Sequence, residues 1–276
     1  MNNPSKRLPV VAAIQMISSP VVDENLATAS RLVAEAAEKG ADLVLLPEYF
    51  CIMGNKDTDK VAVREPYGDG PIQACLANLA SRHHVWILGG SVPLVANSDD
   101  RVRNSLLVFD PSGKRVSRYD KIHLFNFQNS EQSFDEARTN EPGNTPVAID
   151  IPVAEDTLRV GLSICYDLRF PELYRALGKC DLIVVPSAFT VVTGQAHWEI
   201  LLRARAIENQ CYVLAAAQGG RHPTGRKTYG HSILIDPWGD VMAVLPEGEG
   251  IVSGVIDRER IIETRKRLPA LSHRTL

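Results

Sequence analysis

The sequence predicts an α/β fold, specifically an α-β-β-α sandwich of two stacked mixed sheets related by a pseudo-twofold internal repeat. Three observations carry that prediction. First, apolar runs of strand length alternate with segments of helical periodicity, the pattern of sheets covered by helices. Second, three pairs of segments recur in the same order: ADLVLLPEYF (41–50) with CDLIVVPSAF (180–189), VWILG (85–89) with CYVLA (211–215), and SLLVFDPSG (105–113) with SILIDPWG (232–239). Ordered self-similarity of this kind marks a duplicated structural unit. Third, no Gly-, Ser- or Pro-rich linker separates the halves, so residues 1–276 read as one domain, with a core over 8–257 and a tail over 258–276.

Each half opens with an apolar strand, at 10–16 and 160–165, followed by a helix. In the first helix Asp23 is the expected N-cap, Leu26, Ala29, Val33 and Ala37 have helical spacing, and Gly40 is the stop. In the second, Pro171 suits a first turn, with Leu173, Tyr174 and Leu177 behind it. The two "DLxxxP" strands come next, then helices over 71–83 and 195–209. Both halves close with strands joined by Asp-Pro-x-Gly turns. Residues 125–146 are polar and read as a long connecting loop, a type that is usually functional in a compact domain. The tail predicts a short charged helix and an extended end, a candidate contact with a neighbouring subunit.

Composition excludes several classes of function. The 276 residues are 45% hydrophobic and 23% charged, with a formal net charge of -3 and no basic stripe for a phosphate backbone, so no nucleic acid partner is expected. Apolar runs are strand-sized, so no membrane span is expected. Lys6 and Arg7 precede an apolar run that Gln15 ends too early for a signal peptide, which predicts a cytoplasmic protein. Five cysteines, odd in number and without a C-x-x-C, indicate neither a disulfide framework nor a zinc site.

In open parallel sheets ligands gather at the carboxyl ends of strands. Cys165 ends the first strand of the second half, and Glu48 ends the "DLVLLPE" strand of the first. The repeat places Ser187 where Glu48 stands, so the strand frame itself does not require an acid. Lys121, in YDKIHLF (119–125), stands in an alternating run, and His123 would share its face.

LPEYF (46–50), RYDKIHLF (118–125) and GLSICYDLRFPEL (161–173) together resemble the nitrilase superfamily of carbon-nitrogen hydrolases, across roughly residues 8–260. The resemblance implies a catalytic glutamate, lysine and cysteine at Glu48, Lys121 and Cys165. It also implies a second glutamate in the following loop, best matched by Glu136 in FDEA (134–137), with Glu131 and Glu141 as alternatives. Residues 186–222 and 229–239 look like the branch holding deaminated glutathione amidases, with ω-amidases acting on α-ketoglutaramate close by.

The implied reaction is hydrolysis of an ω-amide on a small carboxylate-bearing substrate through a thioester, with release of ammonia. An N-carbamoyl amide hydrolase is a further alternative, and a non-catalytic scaffold is disfavoured because all three catalytic residue types are present. Glu48 would act as base, since an ordinary thiol, with a pKa of about 8.5, is mostly protonated at neutral pH. Lys121 and the backbone N–H of Tyr166 would face the oxyanion. Two flanking glutamates would keep Lys121 charged.

Rival readings are a histidine base, at His123, His197 or His231, and a phosphate loop at GRHPTGRKT (220–228). In that loop an arginine separates glycine from lysine, and a strand follows where a phosphate loop needs a helix. Arg221, Arg226 and Lys227 either clamp a substrate carboxylate or form a solvated basic loop; Arg169 either faces the site or pairs with a structural carboxylate. Arg203 and Arg205 lie on a helix four and six residues after Glu199 and are expected to make structural ion pairs. Tyr49, Phe189, Thr193 and His197 are the expected pocket walls, with core packing as the alternative for Phe189. No metal or organic cofactor is implied. A homodimer or higher homo-oligomer is expected from the family.

Overall fold

The structure, a computed structural model, describes residues 7–128 and 133–275. The first half runs β1 (Val10–Gln15), α1 (Val22–Glu38), β2 (Leu43–Leu45), α2 (Asp59–Ala62), α3 (Pro71–His83), β3 (Trp86–Leu88), β4 (Val92–Val95), β5 (Val102–Phe109) and β6 (Arg115–Asp120). A hairpin of β7 (Asn126–Gln128) and β8 (Ser133–Asp135), with a 3-10 turn at Glu136–Arg138, leads to the second half. That half runs β9 (Ala148–Val153), β10 (Asp156–Leu162), α4 (Pro171–Ala176), β11 (Leu182–Ser187), α5 (Val191–Asn209) and β12 (Tyr212–Ala217). It continues through β13 (Gly219–Arg221), β14 (Lys227–Tyr229), β15 (Ser232–Ile235) and β16 (Val241–Leu245) to β17 (Gly250–Val255) and α6 (Arg258–Arg267).

One sheet has the order β17-β1-β2-β3-β5-β4, with β6 also on β5; the other has the order β16-β15-β12-β11-β10-β9. Parallel pairing of β1 with β2 and β2 with β3 in the first sheet is matched by β10 with β11 and β11 with β12 in the second. The period-2 alternation of strands shows directly how the layers form. Along β1, Val11 and Ala13 join the core between the sheets, while Ala12 and Ile14 join the layer that holds Leu32 and Val33 of α1 and Leu76 of α3. On the far side, Trp198, Leu202 and Ala206 of α5 cover the second sheet. Four layers result: helix, sheet, sheet, helix. Among the described residues, no helix is long and apolar enough to cross a membrane.

Polar bonds stitch the halves together at the seam. Ser232 donates its N–H (2.9 Å) and hydroxyl (2.8 Å) to Gln15 Oε1, and Trp86 Nε1 donates to Pro152 O at 2.9 Å. Buried amides need such partners, so the seam has one register.

Several local expectations are corrected. Val21, not Asp23, caps α1; Asp23 lies in the first turn, where its charge meets the helix dipole. The helix expected over 195–209 starts at Val191, because the Thr190 hydroxyl accepts the Thr193 N–H at 3.3 Å and caps the end. The expected loop over 125–146 holds the β7–β8 hairpin and a 3-10 turn. The end of the tail forms a 3-10 turn at Ala270–Ser272, and α6 folds back on its own chain: Ile261 is buried and Arg260 pairs with Asp236 at 2.7 Å.

Candidate active site

Three chain segments converge at one end of the sheets. Glu48 follows β2, and the next residue, Tyr49, takes a left-handed conformation (φ 56°) with its N–H on Ser91 Oγ at 3.0 Å. This tight path needs Gly90: at φ +51°, a Cβ there would lie 2.1 Å from Pro47 O. Lys121 follows β6, its N–H donating to Asn104 O of β5 at 2.9 Å. Cys165 follows β10 at the start of a 3-10 turn, Cys165–Arg169, and is itself left-handed (φ 50°). A non-glycine residue in that region is strained, and such strain clusters at functional sites.

Buried contacts join these residues. Lys121 Nζ donates to Glu48 Oε1 at 2.9 Å and to Glu136 Oε2 at 2.8 Å. Glu48 Oε2 accepts the Ala188 N–H of the second half at 3.0 Å, while Gln218 Nε2 holds the Glu48 carbonyl at 3.1 Å. Glu136 also accepts the Phe125 N–H (2.8 Å), the Tyr49 hydroxyl (3.0 Å) and Asn140 Nδ2 (2.7 Å). Asn104 Nδ2 bridges Glu48 (3.0 Å) and Glu136 (3.3 Å).

The electrostatics follow from that packing. Burial alone would discharge Lys121, but the Glu136 and Glu48 carboxylates outweigh it and raise its pKa well above the ordinary lysine value. Burial likewise opposes ionisation of Glu136, and Lys121 overcomes it, so that carboxyl is held below the usual range. The Cys165 thiol is pushed well up by burial, then by the Glu48 charge, against a smaller pull from Lys121. The resting site therefore holds a neutral thiol beside an ammonium flanked by carboxylates.

Glu48, Lys121, Glu136 and Cys165 line one cleft of about 570 Å³ including its open mouth. Tyr166, Tyr49, Arg169, Phe189 and Thr193 line it too, and Phe189 also packs on Trp198, ring centroids 4.7 Å apart. Two expected wall residues do not line it. His197, exposed on α5, meets Arg169 instead, its Nδ1 3.3 Å from the guanidinium. Arg221, on β13, is exposed; Arg226, in the turn between β13 and β14, reaches the cleft instead.

Of the alternatives for the second glutamate, Glu141 points away and pairs with Arg103 at 2.8 Å, and Glu131 lies outside the described residues. No candidate histidine lines the cleft. His123 does not share a destination with Lys121: it meets Asp167 Oδ1 at 2.7 Å and stacks on Phe170, ring centroids 3.7 Å apart, and His231 Nδ1 meets Tyr229 O at 2.9 Å. The stretch resembling a phosphate loop is the β13–β14 hairpin, with no helix to receive a phosphate. Arg203 pairs with Glu199 at 3.6 Å, whereas Arg205 pairs with Glu208 and donates to Leu168 O at 3.0 Å.

Sequence reasoning missed Asn104, Asn140 and Lys60, and passed over Asp167. Asn104 stands between Arg103 and Ser105, ahead of the apolar run of β5, so its burial had no signal in the sequence. Asp167 is fully buried and accepts from the Tyr119 hydroxyl (2.7 Å), the His123 N–H (3.0 Å) and the Ile164 N–H (2.9 Å), tying the lysine segment to the cysteine turn. Among the described residues no cluster of His, Cys, Asp and Glu is arranged to hold a metal ion.

A family model described as carbon-nitrogen hydrolase matches residues 10–266. The chain is 39% identical to the deaminated glutathione amidase of Yersinia enterocolitica over 268 residues, covering 95% of this chain and 92% of that protein. It is 36% identical to the omega-amidase NIT2 of Xenopus tropicalis over 263 residues, covering 94% and 92%. The crystal structure of Saccharomyces cerevisiae Nit3, a member of branch 10 of the nitrilase superfamily, superposes with a TM-score of 0.86 at 31% identity, covering 99% of this chain and 100% of that one. With a family model spanning nearly the whole sandwich and relatives this similar over nearly its full length, the chain belongs to the carbon-nitrogen hydrolase family and is a hydrolase of carbon–nitrogen bonds.

Proposed function

We propose that this protein is a cysteine-dependent amidase that hydrolyses the ω-amide of a small carboxylate-bearing acid, with deaminated glutathione as its preferred substrate and α-ketoglutaramate as the second reading. One observation carries it: Cys165, Glu48 and Lys121, from remote parts of the chain, line one cleft with a guanidinium, Arg169, in its wall. The names of the relatives support the choice of branch.

The steps follow from the geometry. Glu48 takes the thiol proton as the sulfur attacks the amide carbonyl carbon, which is necessary because the resting thiol is neutral. Negative charge collects on the carbonyl oxygen, where the Lys121 ammonium and the N–H of Tyr166, in the first turn of its 3-10 helix, face it. Glu48 returns the proton to nitrogen, the C–N bond breaks, and the amine leaves a thioester behind. Water, deprotonated by Glu48, adds to the thioester; the C–S bond breaks and thiol and acid are regenerated. Glu136 keeps Lys121 charged throughout. For a primary amide the departing amine is ammonia, but the scissile nitrogen of deaminated glutathione belongs to a cysteinylglycine unit. The expected release of ammonia therefore holds only for the second reading.

The Cys165→Ala variant should bind deaminated glutathione without turning it over; unchanged release of acid would remove the nucleophile assignment. Wild-type rates on deaminated glutathione, α-ketoglutaramate and simple nitriles rank the substrates, and a preference for nitriles would overturn the amide reading. We also infer a reducing, cytoplasmic setting from five free cysteines, and a homo-oligomer from Val192, Ile200 and Ile207 exposed along α5. Light scattering of Ile200→Glu should show smaller particles than wild type.

A further inference from the structure

The cleft carries basic groups on two sides of the sulfur, and they are held differently. On the cysteine side the Arg169 guanidinium lies over the rings of Tyr166 and Phe189, 5.7 and 5.6 Å from their centroids, and touches His197. On the glutamate side Lys60 Nζ lies 5.5 Å from the Tyr49 ring centroid, and the Arg226 guanidinium 5.4 Å from that of Phe134. Tyr49 directly follows Glu48, the glutamate that returns the proton, and the Glu48 charge reaches Lys60, so Lys60 and Arg226 stand on the Glu48 side of the cleft. A departing nitrogen must lie within hydrogen-bond reach of the group that protonates it. The amine half of the substrate therefore leaves past Lys60 and Arg226, and the acyl half lies toward Arg169.

Two further features mark this side as unfilled. Among the described residues neither Lys60 nor Arg226 has an ion pair, and Arg226 Nε is buried without a hydrogen-bond partner. Both side chains are half-buried, and an anion held between them would satisfy Arg226 Nε and offset the partial desolvation of the two charges. Glu136, Asp57 and Glu48 act on Lys60 only from beyond ion-pair distance, Glu136 and Glu48 are already bonded to Lys121, and Asp135 pairs with Arg138 at 3.3 Å. Beyond them, an open groove of about 340 Å³ including its mouth shares Tyr49, Asp57, Lys60 and Arg226 with the cleft and extends along Ile52, Met53 and Gly54. The site is longer on the leaving side than ammonia requires.

We propose that Lys60 and Arg226 form an anion-binding station for a carboxylate carried by the departing amine, so that the site selects secondary ω-amides whose amine half is itself a small acid or acid-ended peptide. This rests on the amidase reading above and specifies which end of the substrate each basic group holds. Arg169 serves the acyl half; Lys60 and Arg226 are specificity residues for the other.

The test compares three substrates in wild type, Arg226→Gln and Lys60→Met: deaminated glutathione, its C-terminal carboxamide, and α-ketoglutaramate, which shares the acyl half but releases only ammonia. Loss of a charge-assisted contact should lower kcat/KM for deaminated glutathione roughly 10- to 100-fold, mainly through KM. That loss should exceed the loss on α-ketoglutaramate at least tenfold. The carboxamide should be a poor substrate for wild type and little poorer for either variant, and Arg226→Lys should recover most of the loss. Equal losses on deaminated glutathione and α-ketoglutaramate, or no loss on either, would overturn the station. Calorimetric binding of deaminated glutathione to Cys165→Ala, with and without Arg226→Gln, gives the same answer without turnover. Failure of the amidase reading shows separately, as wild type that turns over none of the three amides or prefers simple nitriles.

Discussion

Lys121 has a carboxylate on each side and almost no contact with water. Removing its charge leaves Glu48 and Glu136 buried together, so Lys121→Met should cost about 3–5 kcal/mol of stability. Chemical denaturation will show it, alongside a loss of at least about 10²-fold in kcat. Because Lys121 holds the folded pKa of Glu136 below its unfolded value, that carboxylate contributes stability present above the unfolded value, about 4.3, and lost as pH falls through the folded one. Glu136→Gln should flatten that part of the acid limb in melts recorded across pH. At this scale the sequence was partly legible. Glu48 stood out because its repeat partner is Ser187, and Cys165 because a thiol ended a strand. Lys60 gave no such signal, since only the folded loop carries it to the cleft, and the basic loop 221–227 offered Arg221, Arg226 and Lys227 alike, of which the fold brings Arg226 to the cleft.

Two elements are fixed by single residues. Asp167 binds the segment after β6 to the turn after β10, so Asp167→Ala should strand the Tyr119 hydroxyl and the Ile164 N–H and cost about 3 kcal/mol, measurable as a shifted urea midpoint. The turn that presents Cys165 loosens with it, and kcat should fall more than KM rises. Where α5 meets β14, a Cβ on Gly194 would lie 2.2 Å from the Tyr229 ring. Gly194→Ala should therefore destabilise by about 1–3 kcal/mol despite the better helix propensity of alanine, again by denaturation. Elements with strong periodicity were readable from sequence: α3 spans the predicted 71–83, and both Asp-Pro-x-Gly turns join the predicted strands. The β7–β8 hairpin was not, because its three-residue strands carry one apolar residue each, Phe127 and Phe134, too few to show a period, and pair only with each other.

For the whole molecule, burial raises the pKa of all five cysteines, with Cys180 pushed up to about 11, and the tyrosines Tyr119 and Tyr174 above their usual range. The native state then binds more protons than the unfolded chain in alkali. The corresponding stability is complete below the unfolded thiol value, about 8.5, and is lost as pH rises toward the folded values. Melting temperature should decline from about pH 8.5 upward, and Cys211→Ala should soften the decline, because Cys211 has no part in the cleft.

The route of the final strand has a consequence for biosynthesis. β17 leaves the second half to pair antiparallel with β1, Val10 opposite Val255. On a ribosome delivering residues in order, the β1 rim of the earlier sheet stays open until residues 250–255 emerge, and an unpaired rim invites other chains. A nonsense codon just upstream of Gly250 should thus yield inclusion bodies rather than a shortened enzyme.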